Sequence, residues 1–187
     1  MTIGDFASAG VITFDEYDNN QRFEPGISVQ NNGFNIGSTS LSRVQGAIAD
    51  SSFCFPNCPD NGDHYLLGHG AGFEFTTIDG LGFSLLSFDG AEAHSGIEVA
   101  YAQQIWVSAI TMDDVTINQY FDLDWINDAS GPLNDFQGFT FSNEFVNLKS
   151  VIFNGIGGSS INQFSVDNIN YNRVDVPEPS ALAILAL

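Results

Sequence analysis

Gly72-Phe73-Glu74-Phe75-Thr76-Thr77-Ile78-Asp79-Gly80-Leu81-Gly82-Phe83-Ser84-Leu85-Leu86-Ser87-Phe88 decides the fold class. Phe73 and Phe75 alternate with Glu74 and Thr76, Asp79-Gly80 interrupts, and Phe83 and Leu85 resume around Ser84. A period of two sends successive side chains to opposite faces of a strand, and aromatic residues suit a half-buried pleat. Asp-Gly turns the chain because Gly takes positive φ without steric cost. Working outward, an apolar run opens with Val11-Ile12-Thr13-Phe14, and strands are expected over 64–67, 72–78, 82–88, 97–102, 105–112, 115–121, 138–141, 145–153 and 163–171. Turn signals separate them at roughly 8–12 residues, the spacing of a sandwich or barrel rather than of βαβ units. The expected fold is therefore all-β, an antiparallel β-sandwich of jelly-roll or lectin-like type. Residues 105–112 are apolar in both phases and read as a central strand, with Trp106 in the core. Residues 18–63 are dominated by Asn, Gly, Ser, Asp and Pro, with short apolar pieces around residues 34–36 and 44–48, and read as long loops with one or two short strands.

The chain has 187 residues and is 43% hydrophobic, which suffices for one core and not for two. The division expected is a leader or residual signal-peptide end over 1–9, a sandwich over 10–173 and a tail over 174–187. Lys and Arg total 4 against 23 Asp and Glu, a net charge of -19. Arg22, Arg43, Lys149 and Arg173 are scattered, so no basic patch neutralises phosphates and nucleic-acid binding is excluded. An anionic membrane surface would repel the domain. Most acids read as solubilising surface charge, and a few as ligands to a divalent cation, which prefers carboxylate and carbonyl oxygens.

The last strand changes phase. Phe164 and Val166 set one apolar register, Ile169 and Tyr171 the other, with Asp167-Asn168 between them. One face stays buried only if a residue is inserted there, so a β-bulge re-aiming Asp167 is expected, against a strand that buries both phases. Asp15 and Glu16 end the first strand, and first and last strands can be neighbours in a sandwich. Asp15, Glu16 and Asp167 are therefore the candidate ligands for a structural Ca²⁺, whose shell of 6–8 oxygens needs loop carbonyls as well. The alternative has Asp15 and Glu16 capping a turn and Asp167 bonding backbone at the bulge. The Asp60-Asn61-Gly62-Asp63 loop and Asp122, Asp124 and Asp128 are weaker candidates for such a site; neither matches the EF-hand pattern, and they read more simply as a tight turn and a solvated loop.

Cys54 and Cys58 lack the second pair that a zinc site needs, and three residues separate them rather than the two of a redox motif. A local disulfide or two free loop thiols remain, and the disulfide implies an oxidising compartment. His64, His69 and His94 read as lone surface histidines. No Gly-x-Ser-x-Gly occurs, nothing argues for catalysis, and the chain reads as non-enzymatic. Trp106, Trp125, Tyr65, Tyr101 and Tyr120 are the aromatics able to stack on sugar rings. Trp125, in Asp124-Trp125-Ile126-Asn127-Asp128, is the favoured platform, its alternative being a loop anchor.

Ala7-Ser8-Ala9 has the small-x-small form of a signal-peptidase site. At the other end stands Val176-Pro177-Glu178-Pro179-Ser180, followed by an apolar run over 181–187. A membrane span needs about 20 apolar residues, so the run reads as the start of a longer helix. Pro177, Glu178 and Pro179 before an Ala/Leu run resemble the sorting motif of the PEP-CTERM class of bacterial surface and secreted proteins. Ile12-Thr13-Phe14-Asp15, Gly82-Phe83-Ser84-Leu85 and Phe164-Ser165-Val166-Asp167-Asn168-Ile169 are similar to strands of their sandwich domains. The resemblance implies export, processing by an exosortase, and a secreted or cell-surface place in the extracellular, exopolysaccharide-rich biofilm matrix. Two functions follow as expectations: a non-enzymatic surface or matrix protein, or a carbohydrate-binding module. A glycan hydrolase is the third and weakest.

Overall fold

A computed structural model of the chain describes residues 7–40, 46–54, 58–93, 101–124, 135–158 and 161–174. Thirteen strands run β1 (Ala7–Ile12), β2 (Gln21–Arg22), β3 (Ser28–Asn31), β4 (Phe34–Ser38), β5 (Gly46–Ala49), β6 (Tyr65–Gly68), β7 (Phe73–Thr77), β8 (Phe83–Glu92), β9 (Gln104–Thr111), β10 (Thr116–Asp122), β11 (Gln137–Thr140), β12 (Leu148–Ile156) and β13 (Phe164–Val174). Among the described residues, one 3-10 turn, Ser51–Cys54, interrupts them. Every strand pair is antiparallel, as the alternating sequence pattern requires.

The strands form a curled sheet of two layers. The first runs β2-β5-β6-β13-β8-β11, with β1 beside β13; the second runs β3-β4-β7-β12-β9-β10. β8 and β12 connect them through one bridge, Leu148 to Phe83. The layers bury phenylalanine against phenylalanine. Phe34 of β4 meets Phe83 and Tyr171 edge-on at 5.1 and 4.8 Å, and Phe88 of β8 meets Phe153 and Phe121 at 5.2 and 4.9 Å. Each fully buried Phe contributes about 1.5–3 kcal/mol of transfer free energy, and edge-to-face contact adds to it. The all-β sandwich expected from alternation is thus what forms.

Residues 18–63 hold four strands rather than one or two. Asn32 and Gly33 both have positive φ, 46° and 82°, and close a tight hairpin between β3 and β4. Phe34 and Ile36 face inward while Ser28, Gln30 and Asn35 face out, so polar composition concealed a true alternation. β9 is flanked by β10 and β12, as a central strand should be, but it buries one face only. Ile105, Val107 and Ala109 point into the core, whereas Trp106 is half-buried on the opposite face. β1 begins at Ala7, so the Ala7-Ser8-Ala9 stretch expected in a leader pairs with Arg173, Asn172 and Val174 of β13. Most of the strand expected over 97–102 lies outside the described residues.

The phase change in β13 is a bulge. Asp167 faces Asp89, whereas Asn170 faces Ser87, so β13 carries one extra residue; Asn168 takes it up with φ 47°. The next step reverses the offset: Asn170 and Tyr171 face Ser87 and Leu85, leaving Leu86 as the answering extra residue on β8. The two strands therefore leave the irregularity in the register in which they entered it. On its other edge, β13 pairs with β6 through residues 164–166 and with β1 through residues 169–174. The bulge sits where one partner gives way to the next.

A smaller apolar cluster of Ala47, Ala49, Cys58, Tyr65, Leu67 and Ala93 joins Phe53 and Phe136 on the outer side of the first layer. The Tyr65 hydroxyl donates to the Pro59 carbonyl at 2.9 Å, which pins the loop after the 3-10 turn over it.

Candidate functional site

Where β6 gives way to β1, the end of β1 and the loop before β6 both approach the bulge. Asn61 Nδ2 donates to Asp167 Oδ2 at 2.7 Å, across 106 residues of chain. Asn168 Nδ2 donates to Asp89 Oδ2 at 2.9 Å. Asp167 is 2% exposed, and its Oδ1 has no hydrogen-bond partner. Burial pushes its carboxyl up to about 7, the charges of Asp15 and Asp89 adding to the rise while the Asn168 N–H and Asn61 oppose it. Asp15 is raised as well, by burial first and then by Asp63, against the favourable charge of His64. Asp15 itself is exposed, and its charge acts on Asp167 across this junction.

Glu16 is not part of this junction. Its Oε1 accepts from Asn31 Nδ2 at 2.6 Å, and the same amide donates to the Thr13 carbonyl at 2.7 Å. Asn61 and Asp89 are neighbours of Asp167 that the sequence did not pair with it. Asn61-Gly62 announced a turn, but nothing local announced that the turn reaches a strand 106 residues away. Among the described residues, no group of three or more His, Cys, Asp or Glu side chains is arranged to hold a metal ion.

The second feature is the outward face of the layer β3-β4-β7-β12-β9-β10. Strand register aligns its side chains in rows. Tyr120, Trp106 and Asn154 form one row, and Asn118, Ser108, Ile152, Glu74, Gly37 and Ser28 form the next. Tyr120 is 57% exposed and lies directly opposite the half-buried Trp106. The Trp106 indole N–H donates to Asn118 Oδ1 at 3.0 Å, which fixes the ring plane. Gln104 Nε2 donates to Asp122 Oδ1 at 2.6 Å beside them. At the other side of the face, Ser28, Asn35, Gly37, Ser38, Glu74 and Thr76 line a groove of about 300 Å³. An aromatic pair beside amides and hydroxyls is able to stack on a flat apolar ring and satisfy its polar rim.

The remaining candidates separate. Trp125, Asp128 and His94 lie outside the described residues, as does the Pro177-Glu178-Pro179 motif. Tyr65 is buried and Tyr101 half-buried. His64 stands between Asp50 at 4.0 Å and Asp63 at 3.5 Å rather than alone. His69 Nδ1 meets the Gln163 side-chain amide, and burial followed by the Arg22 charge lowers its proton affinity. Cys54 ends the 3-10 turn, Cys58 is buried, and among the described residues no cysteine is a free thiol. Among the described residues, no helix is long and apolar enough to cross a membrane.

No protein-family model matches the chain, and no curated protein matches it at a significant level. Among solved structures, it is similar to a family 29 carbohydrate-binding module from Piromyces equi, at 10% identity and a TM-score of 0.47, over 96% of this chain and 98% of that one.

Proposed function

We propose that the chain is a non-catalytic carbohydrate-binding domain of an exported bacterial surface or matrix protein, and that the outward face of the second layer holds the glycan. The observation that carries this is the cross-strand pair Trp106 and Tyr120, held outward beside Asn118, Asn154 and Gln104. Large rings are costly to leave toward water, and an amide already fixes one of them in plane.

Export rests on the resemblance of Val176-Pro177-Glu178-Pro179-Ser180 to the PEP-CTERM sorting motif, with an exosortase as the processing partner. A Cys54–Cys58 disulfide belongs to the same reading, since it requires an oxidising compartment. The intact mass of protein made in such a compartment should be two hydrogens below the reduced value, and full alkylation without prior reduction would reject the bond.

The binding test is affinity electrophoresis through gels containing soluble polysaccharides. Wild type is retarded, and Trp106→Ala and Tyr120→Ala migrate as in the blank gel. Each lost stacking contact costs about 0.5–1.5 kcal/mol beyond its area, which is enough to release a weak binder. Both side chains stand outside the core, so the melting temperatures of the variants should stay near that of wild type. Unchanged retardation of both variants rejects this face.

A further inference from the structure

We infer that the ligand is an extended, uncharged polysaccharide lying across the strands, from the Trp106–Tyr120 pair to the groove at Glu74. This rests on the glycan-binding reading above and narrows it to a ligand class and a direction.

The direction follows from register. The row Asn118, Ser108, Ile152, Glu74, Gly37 and Ser28 crosses all six strands without a break. Five inter-strand steps of about 4.8 Å make a track of about 24 Å, far longer than a single sugar ring. The aromatic pair lies on β9 and β10 at one end, and the groove lies on β3, β4 and β7 at the other. Between them, β12 presents Asn154 and Ile152, both half-buried. A terminal sugar would occupy one of these places. A chain lying along the strands would meet one and miss the other. Only a chain crossing the strands meets both.

The charge follows from what the face lacks. Lys149 lies at the far end of β12 and its Nζ pairs with Asp114 Oδ1 at 3.1 Å. Arg22 and Arg173 belong to the first layer, and Arg173 pairs with Asp79. Arg43 lies outside the described residues. Among the described residues, then, no unpaired cation serves this face, while Glu74 and Asp122 stand on it. A polyuronate or sulfated chain would bring like charge to a molecule of net charge -19 and find no counter-charge. Hydroxyl groups, in contrast, donate to the carboxylate, amide and hydroxyl oxygens lining the groove.

The groove can be closed without disturbing the strand. Gly37 forms part of its floor, and a Cβ built there meets Ser28 Cβ at 3.5 Å and the Ile27 carbonyl oxygen at 3.8 Å, ordinary contacts. Gly37→Val therefore fills the groove, and Glu74→Gln alters its one carboxylate.

The experiment uses matched polymers: hydroxyethylcellulose against carboxymethylcellulose, and neutral galactomannan and xylan against alginate. Oligosaccharides of increasing length, cut from whichever neutral polymer binds, are then titrated by calorimetry. Neutral polymers should retard the protein and anionic ones should not. Affinity should rise with length until both ends of the track are covered. Gly37→Val and Glu74→Gln should each weaken the longest oligosaccharide by roughly three- to tenfold, the worth of one or two hydrogen bonds, and leave the shortest unchanged. Equal binding of an anionic polymer, or short oligosaccharides binding as tightly as long ones, overturns this inference while Trp106→Ala still tests the face itself. If no polymer in the set binds, the face reading falls together with the inference.

Discussion

The carboxyl of Asp167 shows how one residue can carry a pH dependence for a whole domain. Water solvates a carboxylate far better than a protein interior does, so burial with like charge nearby favours the protonated form. In the unfolded chain an Asp loses its proton near pH 3.9, whereas folded Asp167 keeps it up to about 7. Over that interval the folded state binds more protons than the unfolded one, and stability from this group falls as pH rises. A rise of about three pH units amounts to about 4 kcal/mol at its upper bound, all of it expressed above pH 7. Asp167→Asn cannot ionise and still offers an oxygen to Asn61. In chelator, it should match wild type near pH 4 and exceed it at pH 8. Denaturant midpoints across that range check the point, and parallel profiles would show that Asp167 is no source of the pH dependence. Trp106 makes the complementary point at the same scale. Its neighbours in sequence are apolar on both sides, but its neighbours in space are Tyr120 and Asn154. Which way it faces depends on its strand partners, so residue type alone placed it in the core.

Between single residues and the domain stand the strands, and there Phe88 of β8 is the joint of the sandwich. Its ring meets Phe121, Phe139, Phe141 and Phe153 at 4.9–5.4 Å, taking in strands of both layers. Phe88→Ala removes all four contacts and leaves a cavity that so many surrounding rings cannot fill by moving together. The expected loss is about 3–5 kcal/mol, read as a lower urea midpoint at unchanged slope. A loss below about 1 kcal/mol would mean that the layers do not close on this ring. The same strand shows what sequence disclosed and what it withheld. Long alternating strands such as β7 and β8 were legible because each alternates large apolar with polar residues for several steps. The bulge in β13 was legible because its two apolar phases clash at Asp167-Asn168. Its answering irregularity at Leu86 carries the same kind of signal, Leu85 and Phe88 standing in opposite phases. β4 and β5 showed as short apolar pieces, whereas β2 and β3 were hidden because short strands of mostly polar residues look like loop, and only pairing with neighbours reveals them. The face proposed to hold a glycan was legible as a set of aromatics and no further. Trp125, in its polar stretch, lies outside the described residues, while the partnership of Trp106 and Tyr120 depends on the β9–β10 register.

At the scale of the molecule, 23 acids against 4 bases set the terms. Like charges held together in a compact state repel one another, so unfolding relieves some of that repulsion. Added NaCl shortens the screening length from about 30 Å at 0.01 M to about 8 Å at 0.15 M, and the melting temperature should climb over that range and then level. Calcium is a separate proposal, supported by the partnerless buried Oδ1 of Asp167 and by the charge of Asp15 acting on that carboxyl. Two carboxylates are too few for the 6–8 oxygens of the ion, so Asn61, loop carbonyls and water would complete the shell. The two effects differ in form. Screening depends on ionic strength and is indifferent to which carboxylate is removed. A site saturates, and at 100 times its dissociation constant it adds about 2.7 kcal/mol by mass action. Thermal melts at pH 8, in CaCl₂ and in NaCl of matched ionic strength, should therefore part company: CaCl₂ raises the melting temperature further and reaches a plateau. Asp167→Asn should lose that plateau and keep the salt response, whereas Glu16→Gln, bound to Asn31 away from the junction, should keep both. Coincident curves for the two salts in wild type would reject the site and leave the carboxylates as surface charge around a buried Asp167 held by Asn61.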